Sequence, residues 1–215
     1  MNGNLIKVWG LAQDVAHCLS HGDIQDPDQS LIGRLRHLLY NRIEWIVLVR
    51  SLEEPLPSIE PRLAVGYSMA AASGLSRLRE ISFPSRLSHF RTRLWHGRTC
   101  VLAMHQGRVA AYCWATDELS FEIDNLELRL RPGDAYIDDL YTAPEFRGQR
   151  IGMATHRWLL NHLQERGFKR AVTVVREHNT PALKIHEKLG FVEADHLTFR
   201  RMLLKRDYHY AKGSF

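Results

Sequence analysis

No apolar run in these 215 residues approaches the roughly 20 residues that a bilayer-spanning helix needs. The opening MNGNLIKVWG has neither the apolar core nor the small-residue cleavage site of a secretory signal. A cytoplasmic protein with no membrane partner is therefore expected. Cysteine is scarce: Cys18, Cys100 and Cys113 are the whole supply, and no two form a CxxC pair. That excludes a disulfide framework and argues against a thiolate zinc site, leaving three reduced, mostly buried thiols. His17 and His21, four residues apart, have a spacing a metal uses on a helix, but no third ligand accompanies them, so no metal site is expected. Internal repeats and low-complexity segments are missing, which excludes solenoids and long linkers. There is also no basic run and no RNA-binding aromatic signature, so a nucleic-acid partner has no motif to rest on. The net charge of +5 suits an anionic partner of either kind, nucleic acid or a small phosphorylated ligand.

What is present is ordinary globular material, 45% apolar and 25% charged, enough for one sizeable core or one domain with an appendage. Helical spacing of Leu31, Ile32, Leu35, Leu38 and Leu39 predicts a helix over SLIGRLRHLLYNR, and IEWIVLV reads as a buried strand. SLEEPLPSIEP, with three prolines, reads as a linker. Residues 1–60 are thus expected to form an N-terminal extension that docks on the rest of the chain, or on a second copy in a homodimer, and residues 61–215 the main domain. There, RLAVGYSM reads as a strand, AAASGLSRLREI and PSRLSHFRTRLWHG as helices, and TCVLAMHQGRVAAYCWATDE as a hairpin turning at HQGR. LELRLRPGDAYIDDLYTAP reads as a second strand pair across RPGD. A helix follows FRGQR, then come the strand AVTVVRE, the helix NTPALKIHEKLG, and closing strands in FVEA and TFRRMLL. LLKRDYHYAKGSF reads as an exposed tail, and Trp95, Trp114 and Trp158 as core or cleft wall. The order β-α-α-β-β-β-β-α-β-α-β-β describes a mixed sheet with helices, not a regular α/β alternation.

The most informative stretch is APEFRGQRIGMATHRWLL. Ile151, Ala154, Trp158, Leu159 and Leu163 mark one face of a helix that ends at Gly167. The turn before it therefore presents backbone N–H groups at a helix N-terminus, where the first four have no partner inside the helix and the dipole is positive. Gly148 and Gly152 remove side chains that would block a close ligand, and Arg147 and Arg150 add charge. The combination suits a phosphate or pyrophosphate; glycines serving only a tight turn, with arginines in water, fit the same residues. The P-loop pattern GxxxxGKS/T and the dinucleotide fingerprint GxGxxG are both missing.

AYIDDLYTAPEFRGQRIGMA resembles the acyl-CoA-binding core of the GCN5-related N-acetyltransferases (GNAT), whose turn reads Gln or Arg, two residues, Gly, one residue, then Gly or Ala; here it is Gln149, Arg150, Ile151, Gly152, Met153, Ala154. NTPALKIHEKLGF is similar to the family's second signature, an asparagine, a small residue (Ala182 here) and then YEKLGF. The resemblance runs from about Arg62 to Leu204, with two departures: Arg150 where glycine is usual and His186 where tyrosine is usual. It implies an α+β (mixed α/β) fold, a central, mostly antiparallel twisted sheet flanked by helices, and direct acyl transfer from acetyl-CoA or a related acyl-CoA to a primary amine of a small molecule. Transfer of a longer acyl group or transfer from a carrier protein, a CoA-binding module without catalysis, and an acceptor amine on RNA or protein are the alternatives.

Acyl transfer from a thioester makes three demands. The amine must lose a proton, the tetrahedral intermediate needs oxyanion donors, and the leaving thiolate needs stabilisation. Asp138 and Asp139 are the candidates for the first; strand alternation predicts that they face opposite sides, one of them toward the substrate. The resemblance puts Asp138 in register with the family's base. It also assigns Leu140, Tyr141 and Thr142 as backbone donors, the turn Arg147, Gly148, Gln149, Arg150, Ile151, Gly152, Met153 and Ala154 to the donor's phosphates, Asn179 and Ala182 to the pantetheine arm, and His186 to the sulfur as an acid. By its own chemistry Asn179 also reads as an N-cap before Pro181, and His186 as a packed helix histidine.

Overall fold

A computed structural model describes residues 40–71, 77–78, 81, 84–118, 128–202 and 205–212. Its strands are β1 (Tyr40–Ser51), β2 (Gly66–Met69), β3 (Thr99–His105), β4 (Arg108–Thr116), β5 (Asp134–Thr142), β6 (Arg170–Arg176), β7 (Val192–Met202) and β8 (Lys205–Tyr210). Its helices are α1 (Pro84–Trp95), α2 (Ile151–Glu165) and α3 (Thr180–Lys188). The contacts divide the chain into two units, Ile46–Asp195 with Gly213–Phe215, and Met1–Trp45 with His196–Lys212. The division at residue 60 expected from the proline-rich stretch is not where the contacts divide: the end of β1 belongs with the larger unit and the C-terminal strands with the smaller.

In the larger unit the strands lie in the order β2-β3-β4-β5-β6-β1. The pairs β2–β3, β3–β4 and β4–β5 are antiparallel, while β5–β6 is parallel. The hairpin β3–β4 turns on Gln106 and Gly107, both with positive φ, the geometry a two-residue loop needs to match strand twist. Its inner residues alternate between two cores. Cys100, Leu102, Tyr112 and Trp114 pack with Phe90 of α1 on one face. Val101, Cys113, Ala115, Ala135 and Ile137 pack with Leu159, Leu160 and Leu163 of α2 on the other. Ala182, Leu183 and Ile185 of α3 lie against this second core. The result is the mixed α+β sheet flanked by helices that the sequence predicts.

Several expectations need correction. Tyr40–Arg42, the end of the expected first helix, are strand, while the rest of that segment and most of AAASGLSRLREI lie outside the described residues. So do His17, His21 and Cys18. Residues 128–130 form no strand before RPGD. The turn itself is there, with Asp134 N–H donating to Arg131 O, but the start of β5 already has β4 on one edge (Thr116 opposite Tyr136) and β6 on the other (Asp134 opposite Arg170). No edge remains for another strand. The closing strands are one continuous β7, and the expected tail contains β8, which pairs with β7 from Leu197–Tyr210 to Met202–Lys205 within the smaller unit. Trp114 is buried and Trp158 half-buried, but Trp95 is 88% exposed at the end of α1. Among the described residues no helix is long and apolar enough to cross a membrane.

Candidate active site

Strands β5 and β6 begin paired and do not stay so. Their parallel register runs from Asp134–Arg170 to Tyr136–Val172 and stops, although β5 continues to Thr142 and keeps β4 beside it to Ala111–Thr142. The start is held shut by a bidentate pair: Arg170 Nε donates to Asp134 Oδ1 at 2.8 Å and Nη2 to Oδ2 at 2.6 Å. Beyond Tyr136 the edge of β5 facing β6 has no strand ladder, so the sheet opens toward the C-terminal ends of both strands. In a parallel pair those ends lie together. The helices that follow them, α2 after β5 and α3 after β6, therefore start at the same end of the opening, the usual place for a ligand in an open sheet.

The start of α2 gathers backbone donors and positive charge. Ala143 ends the strand, Pro144–Phe146 make one 3-10 turn, and Arg147 resumes an extended conformation with its Nε donating to Thr142 O. Gly148 and Arg150 take positive φ, at 76° and 60°. Arg150 is the N-cap residue, yet no side chain caps the helix. The N–H groups of Ile151, Gly152 and Met153 thus have no side-chain cap, and they directly follow a turn in which Arg147 and Arg150 are exposed. Ala154 differs: its N–H donates to Arg150 O and its side chain is buried, so its role is packing. Gly152 differs too. It is buried, and a Cβ there would collide with Thr142 Oγ1; its bareness lets α2 approach β5. Gly148, exposed and left-handed, is the glycine of the turn itself.

Alternation along β5 predicts opposite faces for Asp138 and Asp139, and the structure overturns it. Asp139 has φ of +47°, and the register with β4 steps from Tyr112–Tyr141 to Trp114–Asp138, leaving one residue on β4, Cys113, against two on β5, Asp139 and Leu140. This is a bulge in β5. It places both carboxylates on the α1 face and leaves Leu140 against the α2 core. Arg93 of α1 joins the carboxylates, Nη2 to Asp138 Oδ2 and Nη1 to Asp139 Oδ2, each at 3.0 Å. Arg98 Nη1 stands 3.6 Å from Asp138 Oδ2, and Tyr112 Oη donates to Asp139 Oδ1 at 3.4 Å. A Schellman turn delivers Arg98: its N–H donates to Arg93 O and that of Gly97 to Leu94 O. Tyr141 stacks on Tyr112 beside them. The sequence reading missed Arg93 and Arg98. The available signal was that Arg93 lies three residues from Phe90 and six from Leu87, at the edge of the apolar stripe of α1.

At the start of α3, Asn179 is the N-cap: its Oδ1 accepts from Ala182 N–H at 3.3 Å, leaving its Nδ2 donors to a neighbour. His186 is buried and donates from Nδ1 to Ala182 O at 2.7 Å. Burial lowers its pKa, the bond to Ala182 opposing in part. At neutral pH His186 is therefore a neutral imidazole with Nε2 as an acceptor only, and it has no proton to give a thiolate. The acid role does not fit this geometry. Its ring lies edge-on to His156 and Phe191, with centroids 5.0 Å away in both cases. His156 of α2 is fully buried, and neither of its ring nitrogens has a hydrogen-bond partner. Burial, and secondarily His186, holds its pKa well below the usual value. It heads the stripe His156, Leu159, Leu160, Leu163, a spacing that was legible. Cys100 and Cys113 are buried, with thiol pKa values pushed well up by burial.

A model of the acetyltransferase (GNAT) family matches residues 72–191, more than half of the chain. No curated protein matches it. Among solved structures, the chain is similar to a GCN5-related N-acetyltransferase from Sphaerobacter thermophilus (14% identity, 82% of this chain and 57% of that one, TM-score 0.56). It is similar to an acetyltransferase of the GNAT family from Colwellia psychrerythraea (15% identity, 73% and 54%, TM-score 0.54). It is also similar to a GNAT-family protein from Novosphingobium aromaticivorans (17% identity, 74% and 63%, TM-score 0.52). The chain thus spans less than two thirds of the length of each of these structures, and at such identities the likeness is one of fold.

Proposed function

The chain belongs to the GNAT family of acetyltransferases, which use acetyl-CoA as acyl donor, and from that premise we propose that it is an N-acyltransferase passing an acetyl or other short acyl group to the primary amine of a small molecule. One observation carries the reading: the β5–β6 pairing stops after Tyr136, and the helix that follows β5 starts without a side-chain cap directly after exposed Arg147 and Arg150. Arg147, Arg150, Gln149 and the N–H groups around Gly148, Ile151, Gly152 and Met153 would hold the donor's pyrophosphate. The edge of β5 at Leu140, Tyr141 and Thr142, past the last β5–β6 pair, and the Nδ2 of Asn179 would hold its pantetheine arm. Bound there, the thioester supplies an acyl carbon open to direct attack by the amine, with the thiolate as leaving group.

The residues then divide the work. Backbone N–H groups past the bulge would donate to the oxyanion. The Asp138–Asp139 pair stands at the bulge and would face the acceptor, whose proton would leave to water or to a carboxylate. His186, neutral and with its N–H engaged, shapes the wall beside Asn179 and leaves the thiolate to depart without a proton from it. This same feature favours a second reading, a CoA-binding module without turnover. Two measurements decide: calorimetry with CoA, and thiol release from acetyl-CoA with a panel of primary amines. Binding with turnover is expected, binding without turnover supports the second reading, and no CoA binding refutes both. Substituting Arg147 and Arg150 together by Gln should weaken CoA binding about tenfold or more, since each removes a charge-assisted phosphate contact.

A further inference from the structure

Arg93 carries an assignment of its own. We infer that it is a positioning residue for the acceptor: it neutralises the Asp138–Asp139 pair so that an incoming amine is not held there as its ammonium. The inference rests on the acyl-transfer reading above. Two carboxylates side by side are the natural trap for a cationic amine. An opposite charge within about 4–6 Å moves a titrating group toward its charged form by about 1–3 pH units. A trapped ammonium has no lone pair and cannot attack. Here two guanidiniums balance the two carboxylates.

The geometry gives Arg93 the larger share of that balance. Its fork spans both acids, Nη1 on Asp139 and Nη2 on Asp138, each at 3.0 Å. A lysine, a point charge on a flexible stem, does not span two carboxylates in this way. The Arg93 guanidinium also lies 5.4 Å from the centroid of the buried Trp114 ring, which fixes it from the sheet side. Its side chain is 12% exposed and those of Asp138 and Asp139 are 10% and 15%, so the pair is screened but reachable from solvent. Among the described residues, Arg98 at the exit of α1, Tyr112 of β4 and Cys100 of β3 also face the pair, and Cys113 of β4 lies behind it on the α2 side of the sheet. Both thiols are neutral, because burial pushes their pKa values up. Among the described residues, Arg93 and Arg98 are the cations paired with the two carboxylates.

The test compares wild type with Arg93→Gln, Arg93→Lys, Asp139→Asn and the double variant Arg93→Gln/Asp139→Asn, each checked by circular dichroism and melting temperature. Thiol release is followed from pH 6 to 9 with the best amine of the panel. For Arg93→Gln the acceptor KM should fall several-fold, kcat should fall about tenfold at pH 7, and the acid limb of kcat should move up by about one pH unit, as an ammonium gains a net negative neighbour. The double variant should return the limb, and Arg93→Lys should keep it while losing part of kcat. Asp139→Asn should move KM and the limb the opposite way, which keeps the test available if Arg93→Gln does not fold. A purely structural Arg93 would lower kcat equally at every pH with acceptor KM unchanged; that result overturns the inference. If wild type turns over no amine, the acyl-transfer reading itself fails, and calorimetry with ethanolamine on CoA-loaded protein still decides. Tighter binding by Arg93→Gln than by wild type supports the inference, and equal or weaker binding overturns it.

Discussion

Gly152→Ala separates two reasons for a glycine at the start of α2. At an open helix position the change should stabilise by about 1 kcal/mol, because alanine is the better helix former. Gly152 is not open: a Cβ would collide with Thr142 Oγ1 while lying at ordinary contact distance, 3.7 Å, from Thr142 Cβ. The obstacle is a single atom, the hydroxyl oxygen. Overfilling a packed site of this kind costs about 1–3 kcal/mol, so Gly152→Ala should come out destabilised by about 1 kcal/mol. In a Thr142→Ala background the obstacle is gone and the same change should stabilise by about 0.5–1 kcal/mol, a coupling of about 1.5–2 kcal/mol between neighbours. Denaturant unfolding with constant slope measures both sides of the cycle, and calorimetry gives CoA affinity within each Thr142 background. Equal destabilisation in both backgrounds refutes the steric argument. Unchanged stability with CoA binding lost in both backgrounds would show that the glycine clears space for ligand, as its place in the motif suggests.

Two other outcomes follow from the buried polar groups. The pKa of His156 is depressed in the folded chain, and that of His186 more mildly, so the folded state binds fewer protons than the unfolded one as pH falls below about 6.5, the ordinary histidine value; stability is full above that pH and is lost on acidification, by up to about 1.4 kcal/mol per pH unit for each histidine. Melting curves from pH 8 to 5 should fall less steeply for His156→Leu than for wild type, and parallel curves would show that His156 is not the acid-sensitive group. Asp134→Ala should cost about 2–3 kcal/mol by leaving Arg170 without its bidentate partner, toward the low end of buried pairs because the Arg170 side chain is 24% exposed. CoA affinity should stay unchanged, since Asp134 is at the closed end of the β5–β6 pair; an unfolding midpoint equal to wild type counts against the ion pair as the clasp.

What the sequence made legible were the elements whose signals are local. The period of α2, the cap and proline at the start of α3, the HQGR turn and the glycine-arginine junction all depend on residues within a few positions of one another, and each stands where expected. What it hid depends on partners far along the chain. LELRL alternates as a strand should, but both edges of β5 are taken by segments before and after it. Trp95 has the composition of a core residue and is exposed, because α1 turns Leu87, Phe90 and Leu94 to the sheet and ends there. Gly152 belongs to a ligand-binding motif by its neighbours, yet the atom it avoids is Thr142, ten residues earlier.

The bulge at Asp139 ties these levels together. Two-residue alternation would have sent one acid into the apolar core shared with α2, where a carboxylate among Ile137, Leu159 and Leu160 has no partner and its burial is costly. One inserted residue in the left-handed region, which aspartate tolerates better than most, turns both acids to the face where α1 presents Arg93. It also restores the alternation afterwards, so that Leu140 meets the α2 core and Tyr141 stacks on Tyr112. The bulge sits just past the last β5–β6 pair, and a strand bent at that point is carried away from its parallel neighbour. The end of the β5–β6 pairing, where we propose that the donor binds, and the placement of the two carboxylates thus have one local cause. A substitution that straightens β5 should abolish both together, while one that removes only a carboxylate should leave the opening intact.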